Sequence, residues 1–497
     1  MEEENVLIQE RHIKLNKLIE LGINPYPYKY NRTHTSDEIL KKFAKLANEE
    51  KSGEQVSVAG RIVQLRRMGK ATFAHIQDGK GKVQAYFRED DIKEKYDLLK
   101  YLDIGDIIGC NGGVFKTRLG EVTVYVKNLE LLTKTLRPLP EKFHGLKDPE
   151  LRYRMRYVDL IMNPEVKEIF VKRAKIISAI REYLDNKEFV EVDTPCLQTI
   201  YGGAHAKPFK THLNALNMPV YLRISNELYL KRLIVGGFDK VYEFARDFRN
   251  EGIDRTHNPE FTQVELYEAY CDFEDMMRMT ENIYEYAAKK VLGTTKINFN
   301  GHEIDVKAPW KRLTMIEAIN KFADLKDIPD ISKATEEELK SIVHNYNIEI
   351  EGDLTIGTMI QGIFEELCES KLIQPVFITH HPVESTPLCK TLRNGDNKWV
   401  ERFEPYIAGM EVANGYSELN DPIRQKALLE QQAEQLKGGA EEAHPYDEDF
   451  VKAIEYGMPP TGGIGIGIDR MVMVLTGSQS VRDVILFPFM KEMDNGK

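Results

Sequence analysis

The chain has 497 residues, which is enough for two or three domains with a large buried core. Charged residues make up 30% and apolar residues 42%, and no apolar run approaches the roughly 20 residues that cross a bilayer, so a membrane protein is excluded. The net charge of −11 argues against a surface covered with nucleic-acid contacts, but it leaves room for local basic patches.

The amino terminus and the cysteines indicate the cellular compartment. Residues 1–5 read Met-Glu-Glu-Glu-Asn and lack the basic and apolar regions of a secretion signal, so we expect a cytoplasmic protein. The 5 cysteines are scattered along the chain and include no Cys-x-x-Cys pair. This spacing predicts reduced thiols and favours neither a disulfide framework nor a zinc site.

Residues 1–54 are predicted to form an N-terminal helical extension. Within residues 5–21, apolar side chains recur among basic ones such as Arg11 and Lys14, and Gly22 follows as a helix stop. Two roles fit the basic side equally well. The helix could dock on its own domain, or it could contact a nucleic acid.

Residues 55–132 are predicted to form an OB-fold, a small five-stranded barrel. Short alternating runs suggest strands, with a helical stretch at about residues 90–102 between the third and the fourth; the runs occupy residues 56–65, 71–77, 82–88, 106–115 and 122–129. Barrels of this kind commonly bind single-stranded nucleic acid on an exposed face. A purely structural barrel is the alternative.

A linker is predicted at residues 133–150, where prolines and glycine replace the alternating pattern. The second domain, residues 151–497, opens with apolar residues at helical spacing. Phe189-Val190-Glu191-Val192 then predicts a strand that ends before Pro195. The sequence from about 276 to 369 is polar and helix-rich, with a helix start near Ala334, and we interpret it as a helical insertion.

Residues 248–262 are the most informative segment. They place Arg249, carboxylates, His257 and Phe261 between turn-forming residues. An arginine fork can hold a carboxylate and a phosphate oxygen together, and an aromatic ring can stack on a purine. A hairpin with a surface network of ion pairs is the alternative.

A second signal lies near the carboxyl end. Residues 463–470 read Gly-Ile-Gly-Ile-Gly-Ile-Asp-Arg, so a strand with glycine at every second position precedes Arg470. One face of such a strand is bare, and a flat ring can lie close against it. The pattern is not the Gly-x-Gly-x-x-Gly that opens a helix in dinucleotide-binding proteins. Arg249 and Arg470 could therefore bracket one planar ligand.

These two segments resemble motifs 2 and 3 of class II aminoacyl-tRNA synthetases. Further segments narrow the resemblance to class II lysyl-tRNA synthetases from about residue 56 to 497; they are Gly202-Gly203-Ala204, residues 226–232, Glu265-Leu266-Tyr267, Arg402-Phe403-Glu404 and residues 411–421. The helix–strand–proline order before Pro195 resembles motif 1, the dimerisation element. The resemblance implies an α+β fold, an antiparallel catalytic sheet flanked by helices, a homodimer, and ATP bound in a bent form over the sheet.

The implied reaction needs no protein nucleophile, because the carboxylate of the amino acid attacks the α-phosphorus of ATP and the enzyme supplies positioning and charge neutralisation. In the family, Arg249 would bridge that carboxylate and the α-phosphate. Phe261 and Arg470 would sandwich the adenine. Arg249 and Arg470 are thus the implied catalytic residues. The remaining implied ATP contacts are Glu251, His257, Asn258, Glu404 and Glu411.

Glu404 and Glu411 would hold Mg2+ on the ATP phosphates by the same resemblance. Carboxylates combined with substrate oxygens suit magnesium, which keeps part of its water shell. Without the resemblance, both residues would be interpreted as surface acids.

The acidic residues that match the lysine pocket of the family indicate which amino acid is the substrate. Glu227 and Glu418 match the family positions that face the ε-ammonium, with Tyr267 beside them, and Glu265 with the Gly203 backbone would hold the α-amino group. Two buried carboxylates require a cation, which favours lysine over aspartate or asparagine. The remaining implied lysine contacts are Arg249, Asn414 and Tyr416.

In the barrel, the resemblance assigns Arg66, Phe73 and Gln84 to the anticodon of tRNA(Lys). The aromatic ring would stack on a base, and the polar side chains would read base edges. The alternative for Phe73 is a place in the barrel core.

Three residues depart from the family pattern: Met410 replaces an arginine, Asn226 a proline and Tyr416 a phenylalanine. None removes a charged ligand, although the Tyr416 hydroxyl needs a partner. The resemblance implies formation of lysyl-adenylate and then of lysyl-tRNA. Two alternatives remain open. One is a protein-modifying lysyltransferase paralogue, which would lack the barrel, and the other is a non-catalytic RNA-binding or signalling derivative.

Overall fold

The computed structural model describes residues 2–140, 146, 148–325, 328, 330–350, 353–438 and 445–492. The chain divides into two compact units, Met1–Lys147 and Asp148–Lys497. In the described part, none of the helices combines the length and the apolar character needed to cross a bilayer.

The first unit contains a closed barrel with strand order β1-β2-β3-β5-β4. This confirms the predicted OB-fold, including the helix between the third and fourth strands. The elements are α1 (Glu2–Glu20), α2 (Ser36–Lys42), β1 (Lys51–Met68), β2 (Ala71–Gln77), β3 (Lys82–Arg88), α3 (Glu89–Ile92), β4 (Ile107–Lys116) and β5 (Val122–Thr133).

The N-terminal helix α1 packs on the barrel. Leu18 is fully buried in the same apolar cluster as the barrel core. Arg11 donates a hydrogen bond of 2.6 Å to Thr135 Oγ1, and Lys14 forms an ion pair of 2.5 Å with Asp103. These contacts favour docking as the role of these two basic side chains.

The structure refines the predicted boundaries. Strand β1 begins at Lys51, within the predicted extension, and β5 continues to Thr133. The first helix of the second unit begins at Pro149, so the connection between the regular elements is shorter than predicted at both ends. Residues 141–145 and 147 of the predicted linker lie outside the described part of the chain.

The second unit is built on one large sheet with the order β14-β15-β16-β18-β19-β11-β10-β6, and β17 pairs with β16. Neighbouring strands are antiparallel except for the pairs β14–β15 and β10–β6. Its strands are β6 (Val190–Glu191), β10 (Lys240–Phe248), β11 (Glu260–Ala269), β14 (Lys311–Thr314), β15 (Val376–Pro382), β16 (Trp399–Ile407), β17 (Met410–Glu411), β18 (Ala413–Ser417) and β19 (Thr461–Gly467).

Smaller sheets join β12 with β13 and order three further strands as β7-β9-β8. These strands are β7 (Leu197–Gln198), β8 (Lys210–Leu213), β9 (Met218–Leu222), β12 (Lys296–Phe299) and β13 (His302–Asp305). The helices are α4 (Pro149–Arg154), α5 (Arg156–Met162), α6 (Pro164–Asp185), α7 (Glu227–Val235), α8 (Phe273–Leu292), α9 (Met315–Phe322), α10 (Glu336–Asn345), α11 (Ile356–Leu367), α12 (Pro422–Lys437), α13 (Glu448–Glu455), α14 (Ile468–Thr476) and α15 (Val481–Val484).

The helices α6, α8 and α14 cover one face of the large sheet. Their apolar side chains share a core with strand residues such as Val264, Leu266, Ile464 and Ile466. Because side chains alternate along a strand, the residues between these four point to the opposite face. That opposite face is where polar residues can meet a ligand.

The predicted helical insertion differs from the structure at its start. Most of helix α8 (Phe273–Leu292) falls within residues 276–369, yet its residues Met276 and Ile283 lie in the main core. A separate apolar cluster forms from α9, α10 and α11, and it defines the inserted body. Helix α10 has Thr335 as its N-cap with a capping box to Glu338, which agrees with the helix start predicted near Ala334.

Candidate active site

A cavity of about 350 Å3 lies on the polar face of the large sheet. It brings together all the residues of the second unit to which the resemblance assigned a ligand. They are Gly203, Glu227, Arg249, Glu251, His257, Asn258, Phe261, Glu265, Tyr267, Glu404, Glu411, Asn414, Tyr416, Glu418 and Arg470.

Three adjacent strands build the floor of this cavity. In β11, Glu265 and Tyr267 are two residues apart and so lie on the same face of the sheet. They pair with Gly465 and Gly463 of β19. The same two glycines pair with Asn414 and Tyr416 of β18 on the other side. The alternation in sequence thus places the polar residues and the glycines in one layer.

Glycine is required at position 463 by close approach. A Cβ atom there would overlap the Glu418 carboxylate and the Tyr267 ring. At Gly465 and Gly467 the nearest atoms to a Cβ would be 3.5 and 3.8 Å away. The strand is therefore crowded at Gly463 and open at Gly465 and Gly467, where a flat ring has space.

Arg249 follows β10 at the start of the loop that leads to β11. Its backbone N–H donates to Pro259 O at 2.9 Å, which closes the base of the loop. Its guanidinium carbon lies 5.1 Å from the centroid of the Phe261 ring. Among the described residues, the buried Nε of Arg249 has no hydrogen-bond partner. Arg249 lines the cavity, and a buried arginine N–H without a partner favours an anionic ligand there.

Arg470 is the third residue of α14. Its Nη1 donates to the backbone oxygen of Glu411 at 2.7 Å and to the Glu411 carboxylate at 3.1 Å. Its Nη2 donates to His257 Nε2 at 3.1 Å, and His257 Nδ1 donates to Asp254 at 2.7 Å. In this arrangement Phe261 contacts Arg249, and Arg470 holds the loop and the acid. The expected adenine sandwich of Phe261 and Arg470 stays a prediction, because hydrogen bonds in the plane of the Arg470 guanidinium do not occupy its faces.

Asn258 and Glu251 differ in their surroundings. The Asn258 amide donates to Glu260 O at 2.6 Å and accepts from the Phe489 backbone at 3.3 Å, and the residue is 9% exposed. It lines the cavity, but its polar atoms hold the loop in place. Glu251 is exposed in the same loop.

Glu404 and Glu411 lie on either side of a tight hairpin whose turn residues Ala408 and Gly409 have φ values of 51° and 74°. Burial raises the pKa of Glu411, and the neighbouring Glu404 charge raises it further. A cation between such carboxylates would remove this repulsion, so the pair fits the magnesium implied by the resemblance. No cluster of three or more potential metal ligands occurs among the described side chains.

The acidic pocket contains a cation that the sequence analysis did not assign. Lys231 Nζ lies 2.5 Å from Glu227 and also forms an ion pair with Glu418. Lys231 and Glu418 are fully buried, and Glu227 is 4% exposed. When both carboxylates are ionised, they and the one ammonium leave a net charge of −1. The inference that the acids need a cation from outside is therefore corrected: Lys231 supplies one, and a single negative charge remains.

The ionisation of these groups reflects that balance. Burial lowers the pKa of Lys231, but Glu227 and Glu418 outweigh it and hold that pKa above its usual value. Burial raises the pKa of Glu418 to about 8, although Lys231 opposes the change. Burial also raises the pKa of Glu227. A second ammonium in the pocket would stabilise both ionised carboxylates.

Glu265 lies beside this pocket and is held by neutral donors. Ser225 Oγ and Tyr267 Oη donate to it at 3.1 and 3.2 Å, and Gln263 Nε2 donates at 2.5 Å. Burial and nearby carboxylates raise its pKa well above the usual value. A Cβ at Gly203 would come within 2.8 Å of Ser225 Oγ, so glycine lets the backbone approach this group closely.

Arg402 is the second residue to which the sequence analysis assigned no role. It lines the cavity, donates to Asn414 Oδ1 at 3.2 Å, and forms an ion pair with Glu404. Its guanidinium lies 5.9 Å from the Tyr416 ring. The spacing of both residues could have indicated their place. Arg402 is two residues before Glu404 in a strand, and Lys231 is one helical turn after Glu227, so each lies on the same face as its acidic partner.

The barrel residues lie on the outer face of their strands. Phe73 and Gln84 alternate with buried residues in β2 and β3, and Phe73 is absent from the barrel core cluster. Arg66 pairs with Phe73 across β1 and β2. The Phe73 ring lies 4.7 Å from the Tyr86 ring. The alternative that Phe73 is a core residue is therefore wrong.

Gln84 belongs to a polar group on the same face. Its Nε2 donates to Glu121 at 2.7 Å, and its Oε1 accepts from Thr123 at 2.9 Å. His75 Nε2 lies 2.8 Å from the other Glu121 oxygen. Glu121 was not predicted as a site residue, because only the fold brings it beside Gln84.

The chain matches two family models that cover most of its length. Residues 148–491 match the model described as tRNA synthetases class II (D, K and N), and residues 56–132 match the OB-fold nucleic acid binding domain. These ranges correspond to the two units of the structure.

Similar proteins named lysine–tRNA ligase occur in several bacteria. That of Pelotomaculum thermopropionicum is 54% identical, over 99% of this chain and 96% of its own. Those of Thermoanaerobacter pseudethanolicus and Clostridium novyi are 53% and 52% identical, over 99% and 98% of this chain and 97% and 95% of their own. Such extensive similarity, together with the cavity described above, identifies the chain as a member of the class II tRNA synthetases of the D, K and N group.

Proposed function

We propose that the protein is a lysine–tRNA ligase that joins L-lysine to ATP as lysyl-adenylate, releases pyrophosphate, and transfers the lysyl group to the 3′ end of tRNA(Lys). The observation that carries the proposal is the pocket of Glu227, Glu418 and Lys231, whose net charge of −1 matches one substrate ammonium. The full-length relatives named lysine–tRNA ligase support the same substrate.

The pocket would also discriminate against related amino acids. Aspartate would place a carboxylate beside Glu227 and Glu418, and asparagine would leave the remaining negative charge without a partner. Glu265 would hold the α-ammonium group of lysine. The pKa of this carboxyl is raised in the unliganded protein, and a cation beside it would lower that pKa and stabilise the ionised form. Gly203, Tyr267, Asn414 and Tyr416 would complete the walls around the bound lysine.

Arg249 would join the two reacting groups. Its unpartnered N–H and its place beside Phe261 suit a group that grips the lysine carboxylate and the α-phosphate together. The carboxylate oxygen attacks the α-phosphorus, and the bond to the pyrophosphate breaks. No protein nucleophile takes part, so positioning and charge neutralisation supply the catalysis.

Arg470, His257, Glu251, Asn258 and Phe261 would surround the nucleotide. Phe261 and Arg470 would stack on the two faces of the adenine. Glu404 and Glu411 would hold Mg2+, which neutralises phosphate charge when bound. Arg402 would keep the Glu404 carboxylate in place.

The barrel would read the anticodon through Arg66, Phe73 and Gln84. The half-buried Phe73 ring offers a stacking face, and the Gln84 amide lies among polar groups suited to a base edge. This complete barrel argues against a lysyltransferase that modifies proteins. The full set of ligand side chains in the cavity argues against a non-catalytic derivative.

The proposal includes a homodimer in the cytoplasm. Helix α6 and the edge strand β6 have the order of the dimerisation element, and apolar residues near them, Val171, Val190 and Leu197, are 37%, 45% and 52% exposed. Exposed apolar side chains at a sheet edge are typical of an interface between copies.

Pyrophosphate exchange with the purified full-length chain tests the proposed activity. We expect exchange into ATP that requires Mg2+ and L-lysine, and aminoacylation of tRNA(Lys) in a second assay. Ornithine should be activated roughly 10- to 200-fold less efficiently, because it lacks one methylene group. Exchange driven better by aspartate or asparagine would contradict the lysine assignment.

A further inference from the structure

Tyr406 lies in β16 two residues after Glu404, so both side chains leave the strand on the same side. The Tyr406 ring is 2% exposed and packs edge-on against Phe364, with 5.6 Å between the ring centroids. Its hydroxyl reaches out of this apolar cluster. There Tyr406 Oη lies 2.8 Å from Glu404 Oε2 and 2.9 Å from Glu369 Oε1.

A tyrosine hydroxyl has one proton to donate, and here two carboxyl groups are within hydrogen-bond distance of it. Two ionised carboxylates would leave one of these short contacts without a hydrogen. Burial raises the pKa of Glu369 to about 8, and the Glu404 charge adds to this increase. The Tyr406 hydroxyl is placed to donate to either carboxylate. Both contacts are hydrogen bonds at the same time when Glu369 carries a second proton and donates it to Tyr406, while Tyr406 donates its own proton to Glu404.

The segment that carries Glu369 is fixed to the hairpin that carries the acids. Ala408 N donates to Ile373 O at 2.9 Å, and Gly409 N donates to Leu372 O at 2.9 Å. The chain of groups from Glu369 through Tyr406 to Glu404 thus has backbone support close to both ends. Such support is what a ligand carboxylate needs in order to keep one orientation.

We propose that Tyr406 is a positioning residue for Glu404 and that Glu369 orients the Tyr406 hydroxyl from the opposite side. Tyr406 holds one oxygen of the Glu404 carboxylate, and Arg402 holds the other. A carboxylate fixed at both oxygens loses little rotational freedom when it takes a cation, so it binds that cation more tightly. This inference rests on the proposed function, in which Glu404 holds Mg2+ on ATP.

The test compares Tyr406→Phe with the wild-type chain. This variant keeps the ring in its apolar cluster and removes only the hydroxyl. The activity measurement is the Mg2+ concentration for half-maximal lysine-dependent pyrophosphate exchange. A second readout, independent of turnover, is Mn2+ binding in the presence of a non-hydrolysable ATP analogue, followed by electron paramagnetic resonance. We expect Tyr406→Phe to weaken metal binding roughly tenfold in both assays and to leave the lysine KM unchanged.

Glu369 provides a second pair of variants. Glu369→Ala removes the donor that orients Tyr406 and should weaken Mn2+ binding in the same direction. Glu369→Gln keeps a neutral N–H donor and should regain most of the affinity lost in the alanine variant. Tyr346→Phe, at an exposed site of the insertion, is the matched control and should change neither readout.

Wild-type Mn2+ affinity in Tyr406→Phe would overturn the positioning role of Tyr406. Equal Mn2+ affinities in Glu369→Ala and Glu369→Gln would overturn the role of Glu369. A wild-type chain that fails to exchange pyrophosphate with lysine would contradict the proposed function instead, and the Mn2+ measurements on the nucleotide complex would still decide the positioning role.

Discussion

The charge of the lysine pocket gives the sharpest prediction, made on Glu418→Gln. Glu418 is fully buried, and with Glu227 it faces the single ammonium of Lys231. With both carboxylates ionised, the wild-type pocket sums to two negative charges and one positive charge, or −1. The glutamine variant sums to one of each, or zero. The ε-ammonium of lysine would then enter a pocket that has no charge left to bind it.

The expected loss of lysine affinity follows from the distance between the charges and from their burial. Unit charges about 4 Å apart at an effective dielectric constant of about 20 attract by about 4 kcal/mol. Removing one partner of a buried, hydrogen-bonded charge pair costs about 2–5 kcal/mol. Because about 1.4 kcal/mol corresponds to a factor of ten, the lysine KM should rise roughly 30- to 4000-fold, while the ATP KM changes little.

Pyrophosphate exchange measured against lysine and against ATP separates these two effects. The double variant Glu418→Gln with Lys231→Met provides a charge-restoring control, because Glu227 alone returns the pocket to −1. It should recover part of the lysine affinity lost in the single variant. Equal increases in both KM values, or a double variant no better than the single one, would refute the reasoning from charge. Thermal melts of both variants identify losses caused by unfolding.

Three further predictions concern other parts of the molecule. Arg249→Lys keeps the charge but loses the fork, so exchange should fall roughly 10²- to 10³-fold, and near-normal exchange would reject a bridging role. Phe73→Ala should weaken tRNA charging by about 1–3 kcal/mol and leave pyrophosphate exchange unchanged. Phe87→Ala, in the barrel core, is the control and should lower the melting temperature. If Phe73→Ala lowers the melting temperature but causes no specific loss of tRNA charging, the stacking role is contradicted. Burial raises the pKa of Glu418 to about 8, so the ionised form that binds lysine increases with pH. The lysine KM should therefore fall about tenfold from pH 7 to pH 8.5. A lysine KM that does not change with pH, or that changes equally in Glu418→Gln, would exclude Glu418 as the titrating group.

Much of the architecture follows from local patterns in the sequence. The alternation of β2 and β3 places Phe73 and Gln84 on the outer face of the barrel, as their spacing predicts. The glycines before Arg470 form the expected strand. Helix α8 was harder to place, since an amphipathic helix has the same pattern whether it covers a main sheet or belongs to an insertion. Its contacts with the main core decide the matter.

In the candidate site, too, local sequence patterns account for some features and tertiary contacts for others. Alternation along β11, β18 and β19 by itself sends every second residue to one face of the sheet, and the family resemblance singled out most of the side chains that line the cavity there. Only the tertiary structure decided how those side chains are paired. Lys231 beside Glu418 and Glu369 beside Tyr406 are contacts between residues far apart in the chain. Charge balance and proton sharing depend on distances of a few ångströms, and chain folding sets those distances where local spacing cannot.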